Sequence, residues 1–333
     1  MNEIFDTGDY ARKIFSIRSD ADFSELALLA FRYQSSRNPV YSGFLDHLNV
    51  RPREVRSIEE IPFLPIEFFK SHRIISGDAE SHLCFRSSGT TGQRTSAHWI
   101  ADPKLYEDSF MNAFRMFFGE PSSFCFLALL PSYLERNDSS LVYMVGRLIR
   151  ESSYEQSGFY LHAGDELKQI IIANEAQGIP TILFGVTFAL LDLAENFPVP
   201  LRHTRIMETG GMKGRRKEMI RSELHDVLKE AFRTPQILSE YGMTELLSQA
   251  YLLSGEDFST PPWMKILIRE TDDPLAWALP GRTGGISVID LANIHSCCFI
   301  ATQDLGKKTS PGTFTVLGRY DNSDIRGCNL MVG

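Results

Sequence analysis

The chain has 333 residues, of which 43% are hydrophobic and 23% charged, enough apolar material for a large core in one composite domain or two. Its formal net charge of −8 argues against a general affinity for nucleic acid or anionic lipid, both of which favour a basic surface. An odd set of cysteines (Cys84, Cys125, Cys297, Cys298, Cys328), no basic-then-apolar segment after Met1-Asn2-Glu3-Ile4, and no apolar run approaching ~20 residues predict a soluble protein of the reducing cytoplasm.

The first part of the chain reads as helical. Residues 22–35, with Phe23, Leu26, Ala27, Ala30 and Phe31 at helical spacing behind an acidic cap, predict an amphipathic helix, and Pro39 to Leu48 another. Short apolar runs bounded by turn residues follow at Phe124–Leu130, Thr181–Phe184, Arg205–Glu208 and Gln236–Leu238, as buried strands require. Helical patterns alternate with them at Leu141–Arg150, Asp165–Gln177, Thr187–Glu195 and Arg215–Phe232. That alternation predicts βα units around a mostly parallel sheet, an α/β architecture. From about Met264 the texture changes: Lys265–Ile268, Gly285–Ile289 and Thr313–Leu317, separated by Gly and Pro, predict antiparallel strands.

Two segments carry the chemistry. Ser87-Ser88-Gly89-Thr90-Thr91-Gly92 concentrates backbone N–H groups and hydroxyls on one turn, which suits a polyphosphate rich in acceptor oxygens. It lacks the Gly-Lys-Ser/Thr ending of a Walker A loop, because Gln93-Arg94-Thr95 follows Gly92, and an ordinary polar turn between strands would look the same. Tyr241-Gly242-Met243-Thr244-Glu245 offers a ring, a hydroxyl and a carboxylate. Glu245 suits a hard cation such as Mg²⁺; it also suits the N-terminus of a helix, since Leu246–Leu252 reads as helical. Tyr241 could lie against a purine or serve as a core residue with a bonded hydroxyl. Cys297-Cys298 beside His295 has no second ligand pair at zinc-like spacing.

In order along the chain, Ser87 to Gly92, Tyr241 to Glu245, Thr302-Gln303-Asp304-Leu305-Gly306 and Gly318-Arg319-Tyr320-Asp321 resemble the successive motifs of the adenylate-forming superfamily, which includes acyl-CoA synthetases, peptide-synthetase adenylation domains and luciferases. Within it, Pro131 to Arg136, Glu208 to Arg215 and Asp324 to Leu330 are most similar to the acyl-protein synthetase of bacterial luminescence and, next, to phenylacetate–CoA ligases. The resemblance implies the α/β fold of the large N-terminal domain of those enzymes, with mixed sheets and a smaller antiparallel β part. The expected division is a helical region at 1–83, a nucleotide- and acyl-binding α/β region at 84–263, an antiparallel region at 264–318 and a hinge remnant at 319–333. The chain ends 14 residues after Arg319, so the family's mobile C-terminal lid of about a hundred residues is expected to be absent.

The resemblance also implies roles. Ser87, Ser88, Gly89, Thr90, Thr91 and Gly92 would hold the ATP phosphates; Thr244 would touch the α-phosphate and Glu245 bind Mg²⁺. Gly210 and Gly211 would admit the adenine beside Tyr241 and Gly242, Asp304 would accept from the ribose hydroxyls, and Arg319 would neutralise phosphate or hold ribose. The charge that a lysine supplies in many relatives would come from Arg94, from Arg86 or from neither. Phe184-Gly185-Val186-Thr187-Phe188 would line the acyl pocket, its apolar character pointing to a fatty or aromatic acid, although any strand-to-helix junction in an α/β core looks alike. Cys328 would receive the acyl group as a thioester, its thiolate favoured by Arg326, or would fill a small buried site. The implied activity is ATP-dependent formation of an acyl-adenylate from a carboxylic acid, then acyl transfer to Cys328 or an external thiol. Expected partners are the acid, an acyl-accepting reductase, transferase or carrier protein, and coenzyme A. The basic run Lys213 to Lys217 would be a solvated helix entrance or a carrier contact. Two other readings stay open at this stage: a CoA ligase for an aryl or fatty acid, and a non-catalytic subunit that binds AMP or an acyl-adenylate.

Overall fold

The structure is a computed structural model that describes residues 5–78, 80–81, 83–88, 94–131, 138–210 and 219–319. It opens with α1 (Thr7–Ile14), α2 (Asp20–Arg37) and α3 (Pro39–His47). Helix α2 starts before Asp22 because Ser19 caps it. The Ser19 hydroxyl accepts from the Asp22 N–H, and the Asp22 carboxylate accepts from the Ser19 N–H, which closes a capping box. Asn38 ends α2 and caps α3 by accepting from the Tyr41 N–H, with Pro39 in the first turn where its missing N–H costs nothing.

Then come β1 (Leu64–Pro65), α4 (Phe68–Ser71), β2 (Leu83–Arg86), β3 (Ala97–Ile100), α5 (Pro103–Phe118), β4 (Cys125–Leu129), α6 (Ser140–Glu151) and β5 (Gly158–Tyr160). The βα units continue with α7 (Asp165–Gln177), β6 (Thr181–Val186), α8 (Thr187–Asn196), β7 (Thr204–Thr209), α9 (Arg221–Phe232) and β8 (Leu238–Tyr241). The last part is β: β9 (Ala250–Leu252), β10 (Phe258–Ser259), β11 (Met264–Arg269), β12 (Gly284–Asp290), β13 (Phe299–Ser310) and β14 (Thr313–Arg319).

Strands β8, β7, β6, β4 and β5 lie side by side in that order and run parallel. Their middle members are buried on both faces, so Cys125–Leu129 and Thr181–Val186 are continuous apolar runs without alternation. Strand β9 turns back antiparallel on β8 and carries the same sheet through β10, β14, β13 and β12 to β11. Strands β2 and β3 form a separate antiparallel hairpin. The mixed α/β architecture with an antiparallel β part is the one expected. Among the described residues, no helix is long and apolar enough to cross a membrane.

Some local expectations shift. Residues 246–249 are irregular and Ala250–Leu252 is strand, not helix, because β9 pairs with β8 on one side and β10 on the other. Glu245 therefore precedes no helix. The strand expected at Gln236–Leu238 runs from Leu238 to Tyr241, its polar residues paired between β7 and β9. Among the described residues the helix expected at Arg215–Phe232 starts at Arg221, and the Thr302–Gly306 motif lies inside β13, a 12-residue strand.

Candidate active site

Parallel strands leave their ligand crevice at their carboxyl ends, and the motif residues gather there. Strand β7 ends in Glu208-Thr209 and passes to Gly210, whose φ of +73° suits glycine. Strand β8 ends in Glu240-Tyr241. The Thr187 hydroxyl, at the start of α8, lies 3.0 Å from Glu208 Oε1 and 2.8 Å from the Gly210 carbonyl oxygen, tying the ends of β6 and β7 together.

Across the sheet, the Tyr241 hydroxyl donates to Asp304 Oδ2 at 2.8 Å. Asp304 faces Arg319 in the β13–β14 register, and its Oδ1 is 3.6 Å from Arg319 Nε. The Tyr241 ring meets Phe258 and Phe314 edge-on, so this tyrosine is a core residue with a bonded hydroxyl, held directly on the acid assigned to ribose. Burial raises the Asp304 carboxyl; the Tyr241 hydrogen bond and the Arg319 charge oppose the rise. The Arg319 side chain is 82% exposed, so its guanidinium is available to a phosphate.

The Ser87 segment begins where the β2–β3 hairpin ends. Ser87 N–H donates to the Ser96 carbonyl at 3.1 Å, and Ser96 N–H returns to Ser87 Oγ at 2.9 Å. These bonds join Ser87 to Ser96; Gly89, Thr90, Thr91 and Gly92 lie outside the described residues, as do Gly211, the basic run Lys213 to Lys217, Arg326 and Cys328. Ser88 and Arg94 are exposed, and Arg86, at the end of β2, passes its N–H to the Asp138 carbonyl.

Thr244 and Glu245 sit against this hairpin. His98 on β3 is buried, and its Nδ1–H donates to the Thr244 carbonyl at 2.8 Å; the carbonyl can only accept, which fixes the tautomer. Burial holds His98 neutral by lowering its pKa to about 4. Asn293 Nδ2 donates to the Glu245 carbonyl at 2.7 Å. Asp290, at the end of β12, accepts from the N–H groups of Leu247 (2.7 Å) and Ser248 (3.0 Å) and from the Ser248 hydroxyl (2.6 Å). The segment from 244 to 248 has little secondary structure of its own, and these three side chains hold it. None of them stood out in the sequence. His98 alone left a trace, as the polar member of a strand that pairs Phe85 with His98.

The Glu245 side chain is buried, and burial raises its carboxyl despite the Ser96 hydroxyl and the more distant charges of Arg319 and Lys70. A raised, poorly compensated carboxyl favours an added cation. One such oxygen donor with phosphate oxygens and waters completes a usual Mg²⁺ shell, so the residue present fits the ion that the resemblance implies. No group of three or more His, Cys, Asp or Glu side chains that could hold a metal ion occurs among the described residues.

Phe184 and Val186 are fully buried, and a Cβ at Gly185 would collide with Leu190. The apolar character of that segment belongs to the core at the β6–α8 junction. Cys297 and Cys298 are equally enclosed, and burial pushes the Cys297 thiol up to about 12.

No protein-family model and no curated protein matches the chain. Solved structures do. Over 73% of this chain and 49% of its own, ATP-bound MatB from Rhodopseudomonas palustris superposes with a TM-score of 0.53 at 16% identity. An open conformation of 2-hydroxyisobutyryl-CoA ligase with 2-HIB-AMP and CoA gives 0.63 at 12% identity over 91% of this chain and 71% of that one. The postadenylation state of the same ligase gives 0.63 at 12% identity over 96% and 73%. The chain thus spans about half the length of MatB, and its fold is that of the adenylate-forming ligases.

Proposed function

We propose that the protein activates a carboxylic acid with ATP and passes the acyl group to a thiol, as an acyl-protein synthetase does. The observation that supports this most is the meeting of distant motif segments around the ends of β2 and β8. The base of the Ser87 loop meets Glu245 through Ser96, and Tyr241 meets Asp304 and Arg319. In the proposed reaction a carboxylate oxygen attacks the α-phosphorus, the bond to the β-phosphate oxygen breaks, and pyrophosphate leaves. Two anions meet in that step, so catalysis depends on positive charge and aligned donors more than on a general base. Arg319, Thr244 and the Ser87–Gly92 loop would supply them, Glu245 would hold Mg²⁺, and Asp304 would take the ribose hydroxyls. Gly210, Gly211 and Gly242 would leave room for the adenine beside Tyr241.

In the second step a thiolate attacks the acyl carbon, its proton having gone to solvent, and AMP departs with the acyl–oxygen bond. Cys328 is the proposed nucleophile and a partner reductase, transferase or carrier protein the next acceptor. The four described cysteines are free thiols, in keeping with the reducing cytoplasm proposed for the protein. The CoA ligase reading is favoured by the ligase neighbour that holds CoA.

Hydroxamate trapping across a panel of carboxylic acids with MgATP tests the first step, and trapping with none of them would overturn it. An acid that traps, supplied radiolabelled, tests the second. Label should reach the protein through a bond that neutral hydroxylamine cleaves, and Cys328→Ser should lose it while still releasing pyrophosphate, since serine without an adjacent base is a weak nucleophile. Full labelling of Cys328→Ser rejects Cys328. An unlabelled wild type that acylates added coenzyme A rapidly is a CoA ligase.

A further inference from the structure

The end of β8 holds polar groups that the adenylation chemistry leaves unused. Glu240 pairs with Thr209 on β7 and with Tyr251 on β9, so the three side chains share one face of the sheet, the face that α5 covers with Phe117 and Phe118 against Tyr251. Glu240 Oε2 accepts from the Thr209 hydroxyl at 2.6 Å. Its Oε1 lies against Gly242, where any Cβ would collide with it, and Gln249 Cγ packs on the same glycine. Gln249 Oε1 and the Tyr251 hydroxyl are buried without a partner among the described residues. Gln249 is 4% exposed and Tyr251 0%, whereas Glu240 keeps partial access to solvent.

Such orphaned groups are costly in a folded chain and call for a ligand or water that completes them. We infer that these groups at the end of β8 face the acyl part of the substrate, and that the acid carries a hydrogen-bond-donating substituent, an ammonium or a hydroxyl, bound by Glu240 and Gln249. The inference rests on the adenylation reading, because Glu240 directly precedes Tyr241 and only Met243 separates Gly242 from Thr244. Burial raises the Glu240 carboxyl to about 7 and the Glu208 charge adds to the rise, with the Thr209 bond alone opposing it. Among the described residues no cation answers these two oxygen acceptors, of Glu240 and Gln249, and both side chains flank Gly242. A plain hydrocarbon chain would meet a carboxylate, an amide oxygen and a phenol here. The apolar wall expected from Phe184 and Val186 is enclosed in the core.

The test compares straight-chain acids of matched length, unsubstituted, amino-substituted and hydroxy-substituted, by pyrophosphate release from the full chain. A substituted acid should exceed its parent in kcat/KM by roughly 10-fold or more, the effect of one hydrogen bond to a charged group. Glu240→Leu should reverse the preference. Glu240→Gln should keep a hydroxy acid and lose an amino acid, which tells the two substituents apart. Preference of the wild type for the unsubstituted acid, or a preference unchanged by Glu240→Leu, overturns the inference while leaving adenylation standing. If no acid releases pyrophosphate, adenylation falls. Thermal stabilisation by the same acids then reads the site directly: stabilisation by a substituted acid that Glu240→Leu abolishes supports it, and equal stabilisation by parent and substituted acids rejects it.

Discussion

Glu245, Asp304 and Glu240 are three carboxyls in three different environments. Glu245 has the Ser96 hydroxyl beside it and charges only at a distance. Glu245→Gln replaces a charged hard-cation ligand by a neutral one and should nearly abolish pyrophosphate release; retention of most of the rate at saturating Mg²⁺ would refute the metal role. Asp304 is held by Tyr241, so Asp304→Ala should weaken AMP binding by about 1.5–3 kcal/mol, the range for a hydrogen bond to a charged group, as calorimetry can measure. Glu240, raised to about 7, sets a pH dependence. Its folded pKa lies above the unfolded value near 4.5, so its stabilising share is complete below pH 4.5 and is lost as pH rises through 7. Glu240→Gln should therefore be more stable than wild type at pH 8, by an amount of order 1–3 kcal/mol, and the gap should close toward pH 4.5 in urea denaturation.

At the scale of elements, the irregular stretch between β8 and β9 is held from outside. The pattern of Leu246, Leu247, Ala250 and Tyr251 fits a helix as well as a strand, and pairing of Ala250–Leu252 on both edges decides for strand. Asp290 then takes up the N–H groups of Leu247 and Ser248 that the strand leaves free. Asp290→Ala should cost at least about 3 kcal/mol, because each buried donor left unpaired costs ~1–3 kcal/mol. The loss should appear as a lower urea midpoint with unchanged slope. The β2–β3 hairpin, which pairs the buried Phe85 with the buried His98, was not among the strands expected from the sequence.

The whole molecule is tied together by a sheet that passes from parallel to antiparallel without a break at β9. Helix α2 adds a second tie: Gln34, from the N-terminal helices, donates to the carbonyls of Asn293 and Ile294 and accepts from the Cys298 N–H. Unfolding of the parallel half would strip the edge of the antiparallel half. Two of the three tryptophans, Trp263 and Trp277, lie in the antiparallel part, and most of the βα helices lie on the parallel part. Fluorescence and far-UV circular dichroism should therefore report coincident urea transitions, and separated transitions would show two independent units.

Local sequence was enough to establish the α/β alternation, most helices to within a few residues, and the order of the four motifs. These features depend on spacing, capping and composition within a short window. Helix α7, Asp165–Gln177, is an example: its acidic first turn and its closing Gly178 in the left-handed conformation are neighbours in the chain. Tertiary structure alone decided which residues meet. Tyr241 and Asp304 are 63 positions apart, His98 and Thr244 146 apart, and nothing in either local window specifies the partner. The same holds for the burial that raises Glu240 and Glu245 and for the enclosure of Phe184. Burial and long-range pairing are properties of the packed chain, because they depend on which distant segments exclude water from a side chain.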